Sequence, residues 1–480
     1  MSNNPIILGA GPAGVLCAYE LSRHNQSSII LEKESRPGGL CRTFEWKAHR
    51  FDIGPHRFFT KNHEVDQLWH KVLGNDVVAV NRLTRILYAD SFFDYPLKPF
   101  SALKGLGVLT SARALWAYLQ ARRQPASVAT ESFESWVQLH FGKVLYDIFF
   151  KTYTEKVWGI PCSAISADWA NQRIKGMNLS QAVLHSLFPK KGKGGVKSMI
   201  DRFDYPRLGA CQPYENLLAV PLSQGSTLKC NLRVHEILHD SSRIQKVISV
   251  GPGGNTETED VDHVFSSIPF PEFVLKMTPR PAEDVLDAAR ALYFRNHVTV
   301  NLIINNPRIF PDNWIYVHSP NVRTARIASY GNFSASMATP CTSAVSVEYF
   351  TFAQDDLWQM EDASLVELAA RELEKVKLCR RADVADGFVV RSPDSYPVYY
   401  LAYKRNLDKL KAYVSGFKNL TMMGRGGMFK YNNQDHSILS GLVAARKYMG
   451  EEADVWEVNA EDEYLEEKQS PMPVHASDSR

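Results

Sequence analysis

The sequence predicts an α/β protein whose nucleotide-binding core is assembled from separated segments and interrupted by helical and antiparallel-sheet insertions. Three observations predict it. A strand, glycine turn, helix and second strand open the chain. A further strand, glycine turn and helix close it, and the stretch between is first helical, then strand-rich.

The opening unit begins with Pro5–Leu8, a short apolar strand, followed by Gly9-Ala-Gly11-Pro12-Ala13-Gly14 and a helix from about Pro12 to His24. Ser28–Glu32 is the second apolar strand. Gly9 permits the tight turn, Gly11 lets backbone approach a pyrophosphate, and Gly14 lets helix and strand pack closely, as in a Rossmann-like dinucleotide site. Phosphates there meet free N–H groups and the positive end of the helix dipole. Glu32 ends the second strand, where a carboxylate accepts hydrogen bonds from ribose hydroxyls.

Residues from about Ser101 to Ser186 carry spaced apolar and aromatic positions and read as mostly helical. Lys190-Lys-Gly-Lys193-Gly-Gly is either a basic lid or a solvated loop. Strand-like alternation runs from Thr227 to Ile268 and again from His297 to Phe352, and Ala363–Lys377 has helical periodicity. Leu420–Met423 is the last buried strand, and Ser437–Met449 the closing helix, with Asp435 and Ser437 as capping candidates. The expected domains are nucleotide-binding (1–95, 200–275 and 385–450), helical (96–199) and sheet-rich (276–384), then an acidic tail (451–480).

A net charge of +3 gives no global field for nucleic acid. The seven cysteines are scattered without a Cys-x-x-Cys pair, which suggests reduced thiols and neither a disulfide framework nor a metal site. No segment approaches the roughly 20 apolar residues of a membrane span, so a soluble, cytoplasmic protein is expected. A homo-oligomer is compatible with all of this.

Several motifs go further. Glu32-Lys33 opens a run ending in Gly38-Gly39-Leu40-Cys-Arg42, which resembles the second pyrophosphate-contacting loop of the flavin amine oxidases and UDP-galactopyranose mutases. That resemblance implies FAD rather than NAD, with Arg42 offsetting phosphate charge. Gly424-Arg425, followed by Asn433-Gln434-Asp435-His-Ser437, resembles the turn that brings a second helix to the flavin. Val234 matches the position whose backbone meets adenine. Gly54-Pro55-His56 resembles the Gly-x-His loop beside the flavin ring, where His56 tunes N5.

Beyond the cofactor, the chain most resembles the UDP-galactopyranose mutase branch of the flavin amine oxidase and protoporphyrinogen oxidase-like superfamily. Trp169-Ala-Asn-Gln-Arg173 is similar to a pattern that supplies an arginine to a substrate diphosphate. Arg326 and Arg425 are the second and third candidates, and Tyr396 and Tyr431 match tyrosines that hold phosphates. Guanidinium forks suit a diphosphate because they bind its oxygens in pairs. The resemblance implies an anionic small molecule, a nucleotide sugar, whose pyranose and furanose rings interconvert through a reduced-flavin N5 adduct. Arg173 and Arg326 would hold the leaving diphosphate, Arg425 and His56 would stabilise the reduced flavin, and NAD(P)H would reduce it. The alternative is net hydride abstraction by an amine oxidase, protoporphyrinogen oxidase or desaturase-type enzyme; a flavoprotein scaffold or sensor without turnover is a third reading. The sequence alone assigns no role to Arg202-Phe-Asp-Tyr205-Pro206-Arg207-Leu-Gly209.

Overall fold

A computed structural model describes residues 4–95, 105–123, 131–174 (side chains to Ala170) and 202–459. The Lys190–Gly195 stretch, part of the helical insertion and the tail from residue 460 lie outside them. Among the described residues no helix is long and apolar enough to cross a membrane.

The nucleotide-binding core is a five-stranded parallel sheet ordered Leu420–Met422, Val264–Ser266, Ile6–Leu8, Ile29–Leu31 and Thr227–Lys229. Its inner strands are short and largely buried, two of them wholly apolar and the third apolar up to Ser266, as a parallel sheet covered on both faces demands. Ile7 lies between Phe265 and Ile30 in register. The first helix, Pro12–Arg23, and the closing helix, Gln434–Tyr448, pack on one another: a Cβ on Gly441 would lie 2.2 Å from the Ala13 carbonyl oxygen. The closing helix starts three residues before the expected Ser437. Asn433 caps it in a reciprocal box with His436, which places Asp435 and Ser437 inside the first turn.

The larger sheet has seven strands, ordered Val384–Pro397, Phe294–Ile304, Ser343–Thr351, Arg326–Ser329, Trp314–Val317, Thr84–Tyr88 and Ser91–Asp94. All eleven residues of Phe294–Ile304 and all nine of Ser343–Thr351 are buried. Two segments expected in the nucleotide-binding domain lie in this sheet instead. Thr84–Tyr88 pairs with Trp314–Val317 and carries Ser91–Asp94 at its other edge, and 384–397 runs antiparallel along Phe294–Ile304, so both segments follow the ladder hydrogen bonds of the sheet-rich domain.

The helical insertion contributes Val108–Ala121, Phe133–Phe141, Thr152–Trp158 and Ala167–Ile174. Trp136, Phe149 and Trp158 share a core with Ala325, Phe350 and Val398 of the large sheet. Two cations fasten this contact. Lys156 Nζ donates to the carbonyls of Val317, Ser319 and Thr324 at 3.1, 2.7 and 2.9 Å, and Arg295 Nε donates to Val157 O. Burial holds the Lys156 ammonium down to about 8. The site lies where the parallel core, the large sheet and the helical insertion meet.

Candidate active site

The first half of the site is a cleft made by closely approaching backbone. Gly9 turns the chain at φ +95°, its N–H bonded to Leu31 O at 2.8 Å, and a Cβ on Gly14 would lie 1.9 Å from Gly9 O. A Cβ on Gly39 would lie 2.9 Å from Gly11 Cα, and Gly38 N–H donates to Ala10 O at 2.8 Å. Gly424, at φ +71°, would push a Cβ to 2.9 Å from Ala13 Cβ. No side chain caps the first helix, which starts at Pro12. Bare glycine backbone around an uncapped helix start is the chemistry that receives a diphosphate, so these residues fit a dinucleotide cofactor.

Several predicted cofactor residues turn out to build the cleft walls. Glu32 is buried, its carboxylate accepting from the N–H of Ala10 at 2.7 Å and of Glu34 at 2.9 Å, which fixes it at the strand end. Leu232 N–H donates to Glu32 O at 2.9 Å and brings Val234 alongside, but Lys276 already donates to the Val234 carbonyl. A cavity of about 660 Å³ opens there, lined in part by Glu272, Lys276, Asn296 and Asp394. Lys33 is exposed. Arg42, expected to offset phosphate charge, is buried, its Nη1 on Glu34 at 2.7 Å and its Nε on Gly39 O at 3.0 Å. It braces the Gly38–Arg42 loop because a neighbouring carboxylate already neutralises it. Gln434 accepts from the Tyr214 hydroxyl at 2.7 Å.

The second half is a charged and aromatic cluster. Arg326 and Glu348 are directly opposed in the sheet register, joined by Nε–Oε1 at 2.8 Å and Nη2–Oε2 at 2.5 Å. His297 Nε2 completes a buried triad 2.8 Å from Glu348 Oε2. Burial alone would raise the Glu348 carboxyl; Arg326 and His297 more than offset it and hold it down to about 2. Gly54 sits on this triad: a Cβ there would lie 2.9 Å from Glu348 Oε2 and 3.1 Å from Arg326 Nη2. Pro55 follows and leads to His56, whose Nε2 lies 2.9 Å from Leu40 O and 3.1 Å from Ile53 O. Both partners are carbonyls, so that nitrogen carries the proton and Nδ1 is left as an acceptor. Burial first, then the charges of Arg425 and Arg326, push His56 down to about 4, so it is neutral at physiological pH.

Arg425 differs from the other arginines here. Its Nε donates to Asn432 O at 2.9 Å and its Nη1 to Ser395 O at 3.3 Å, with no carboxylate on it among the described residues. Its guanidinium lies 5.3 Å from the Tyr396 ring and 4.9 Å from the Tyr431 ring, which are themselves 5.5 Å apart. Burial raises the Tyr396 phenol, helped by Tyr431 and opposed by both arginines. Tyr431 meets Trp169 edge-on at 4.9 Å, and Trp169 meets Trp158 at 4.7 Å. Arg173 stands one turn after Trp169 on the Ala167–Ile174 helix; its side chain lies outside the described residues. Arg326, Arg425, His56, Tyr396 and Tyr431 therefore share one electrostatic neighbourhood.

Sequence reasoning missed Glu348, His297 and a second buried hub at Asp52. Asp52 accepts from Tyr205 at 2.5 Å, Thr43 at 2.7 Å and Ala210 N at 3.1 Å, while its own carbonyl accepts from Tyr330. Burial raises its carboxyl to about 6 against those three donors. The Arg202–Gly209 stretch thereby gains a role: Tyr205 holds Asp52, beside the Gly54 turn, while Thr43 joins Asp52 to the end of the Arg42 loop.

The sequence profile described as flavin containing amine oxidoreductase matches residues 12–447. A probable UDP-galactopyranose mutase of Klebsiella pneumoniae is 21% identical over 460 residues, covering 94% of this chain and 96% of that protein. A 1-hydroxycarotenoid 3,4-desaturase of Flavobacterium sp. (strain P99-3) is 22% identical over 433 residues, covering 79% and 83%. The crystal structure of reduced UDP-galactopyranose mutase superposes with a TM-score of 0.82 at 19% identity, over 96% of this chain and 98% of that one, a likeness of fold.

Proposed function

The chain belongs to the flavin containing amine oxidoreductase family, and from that premise we propose that it is an FAD-dependent mutase of a nucleotide-activated sugar. Gly9, Gly11, Gly14, Gly38, Gly39 and Gly424 would hold FAD, and the uncapped start of the Pro12–Arg23 helix would receive its diphosphate. When bound and reduced, the flavin supplies the electron-rich nitrogen needed for covalent catalysis at a sugar carbon. NAD(P)H is the reductant that fits this reading.

The single observation that carries the proposal is Arg425, a guanidinium without a carboxylate partner among the described residues, between two tyrosine rings. A cation so placed attracts an anion, and the two phenols add neutral donors without a further charge to desolvate. Arg173, one helical turn from Trp169, is the second candidate for the substrate diphosphate. Arg326 contributes less charge than its type suggests, because Glu348 already neutralises it; it shapes the floor beside the Gly54 turn. His56, neutral, offers an acceptor at Nδ1 and holds Leu40 and Ile53 in place through Nε2. Amine and carotenoid substrates are cationic or apolar, and neither explains Arg425. The unpaired cysteines favour a reducing, cytoplasmic setting.

The test is a product assay. Holoprotein reduced with dithionite is offered UDP- and GDP-sugars anaerobically, and sugar ring forms are separated by chromatography. A furanose formed from a pyranose supports the proposal. Oxidation of an amine or polyene instead, with no sugar isomer, refutes it in favour of net redox chemistry.

A further inference from the structure

The Val108–Ala121 helix is packed the wrong way round for a helix of a globular core. It buries Ala114 and Ala121 and leaves Val108, Leu109, Leu115, Trp116 and Leu119 at 85, 84, 54, 59 and 48% exposure. Five of the thirteen large apolar side chains exposed among the described residues are on this one helix. At about 100° per residue, they and Ala112 fall within an arc of about 120°, a continuous apolar stripe roughly 20 Å long. Arg113, Arg122 and Arg123, all exposed, stand beside the stripe or at its C-terminal end.

Charge identifies what covers it. From Tyr95 to Thr130 the sequence has Lys98, Lys104, Arg113, Arg122 and Arg123 and no acidic residue. This stretch alone carries +5, in a chain whose total is +3. A two-fold contact with a second copy would set these arginines against themselves, which is unfavourable. A solvent-exposed stripe of tryptophan and leucine with arginines alongside, on a stretch without a carboxylate from Tyr95 to Thr130, matches a helix lying in the interface of an anionic bilayer.

We propose that this helix is an in-plane attachment to an anionic lipid surface, the apolar stripe entering the acyl boundary and the arginines meeting lipid phosphates. Attachment of this kind needs no spanning segment. It holds the helical insertion, and the active site it helps to wall, against the membrane.

The experiment uses the full FAD-loaded chain in sedimentation with vesicles of phosphatidylglycerol and phosphatidylcholine in equal parts, against vesicles of phosphatidylcholine alone. The protein is expected to sediment with the first and not the second, and to be released when salt is raised from about 0.1 M to about 1 M. Trp116→Glu with Leu119→Glu is expected to lower binding at least about tenfold, while flavin absorbance per protein stays unchanged and certifies the fold. Arg122→Glu with Arg123→Glu is expected to do the same. Absence of sedimentation with anionic vesicles, or binding indifferent to both pairs, overturns the proposal. So does a lipid-free dimer in analytical ultracentrifugation that Trp116→Glu dissociates, which would assign the stripe to a second copy.

Discussion

Arg326 and Glu348 face each other across adjacent strands and form a two-bonded fork, Nε to Oε1 at 2.8 Å and Nη2 to Oε2 at 2.5 Å. Glu348 is fully buried, so the pair depends on itself for neutrality. Glu348→Gln leaves the guanidinium uncompensated and is expected to cost about 3–5 kcal/mol of stability. Denaturant unfolding checks it, and Arg326→Met combined with Glu348→Met should recover much of the loss. A Glu348→Gln protein as stable as the parent would contradict this reading.

Arg425 should behave oppositely. With no carboxylate on it among the described residues, Arg425→Met strands no buried charge, and stability should change little. Binding of UDP to the holoprotein is expected to weaken by about 1.5–3 kcal/mol, the worth of one charged hydrogen bond. Isothermal calorimetry measures it; unchanged affinity would remove Arg425 from the substrate site.

Gly54 is strained by any side chain. Its φ is +81°, and a Cβ would press on both Glu348 and Arg326. Gly54→Ala is expected to cost about 1–2 kcal/mol from the backbone alone. Turnover should fall further than flavin content, because the damage is on the triad and not in the diphosphate cleft. Flavin absorbance and activity measured on one sample separate the two.

Gly14→Ala attacks that cleft. The new methyl would sit 1.9 Å from Gly9 O, so the turn must open, and the variant should purify with little or no bound flavin. Retention of a full complement of FAD would show that the turn does not hold the cofactor.

Asp52 supplies a pH signature. Its folded carboxyl is raised from 3.8 to about 6, so the folded state prefers the protonated form. The resulting stability is complete below about pH 4 and is lost as pH rises through 6, about 3 kcal/mol in all. Asp52→Asn keeps the Tyr205 and Thr43 bonds with no charge to bury. Urea midpoints from about pH 4 to about pH 7 should therefore fall for the parent relative to Asp52→Asn. Parallel curves would exclude Asp52 as the titrating group.

The glycine turns were legible in the sequence because their chemistry is local. Gly9, Gly11 and Gly14 lie within six residues, and the backbone geometry they permit does not depend on distant partners. The Arg326–Glu348–His297 triad was not legible, although Arg326 was singled out. Its members are brought together by sheet register alone, with His297 opposite Phe350, two places beyond Glu348. In sequence they read as polar residues in otherwise apolar strands. The Arg42–Glu34 pair was hidden for the same reason: it forms only once the loop has folded back. The closing helix starts three residues before the expected Ser437: Asp435 and Ser437 are capping types by residue, whereas Asn433 has the capping geometry.

The count of turnovers per reducing equivalent tests the central claim most directly. Holoprotein is given one equivalent of dithionite per flavin, sealed from oxygen, and supplied with excess UDP-galactopyranose or another UDP- or GDP-sugar. The account predicts many ring isomerisations per equivalent, with the flavin still reduced at the end. One product per equivalent, with the flavin reoxidised, would contradict it and make the protein a net oxidoreductase.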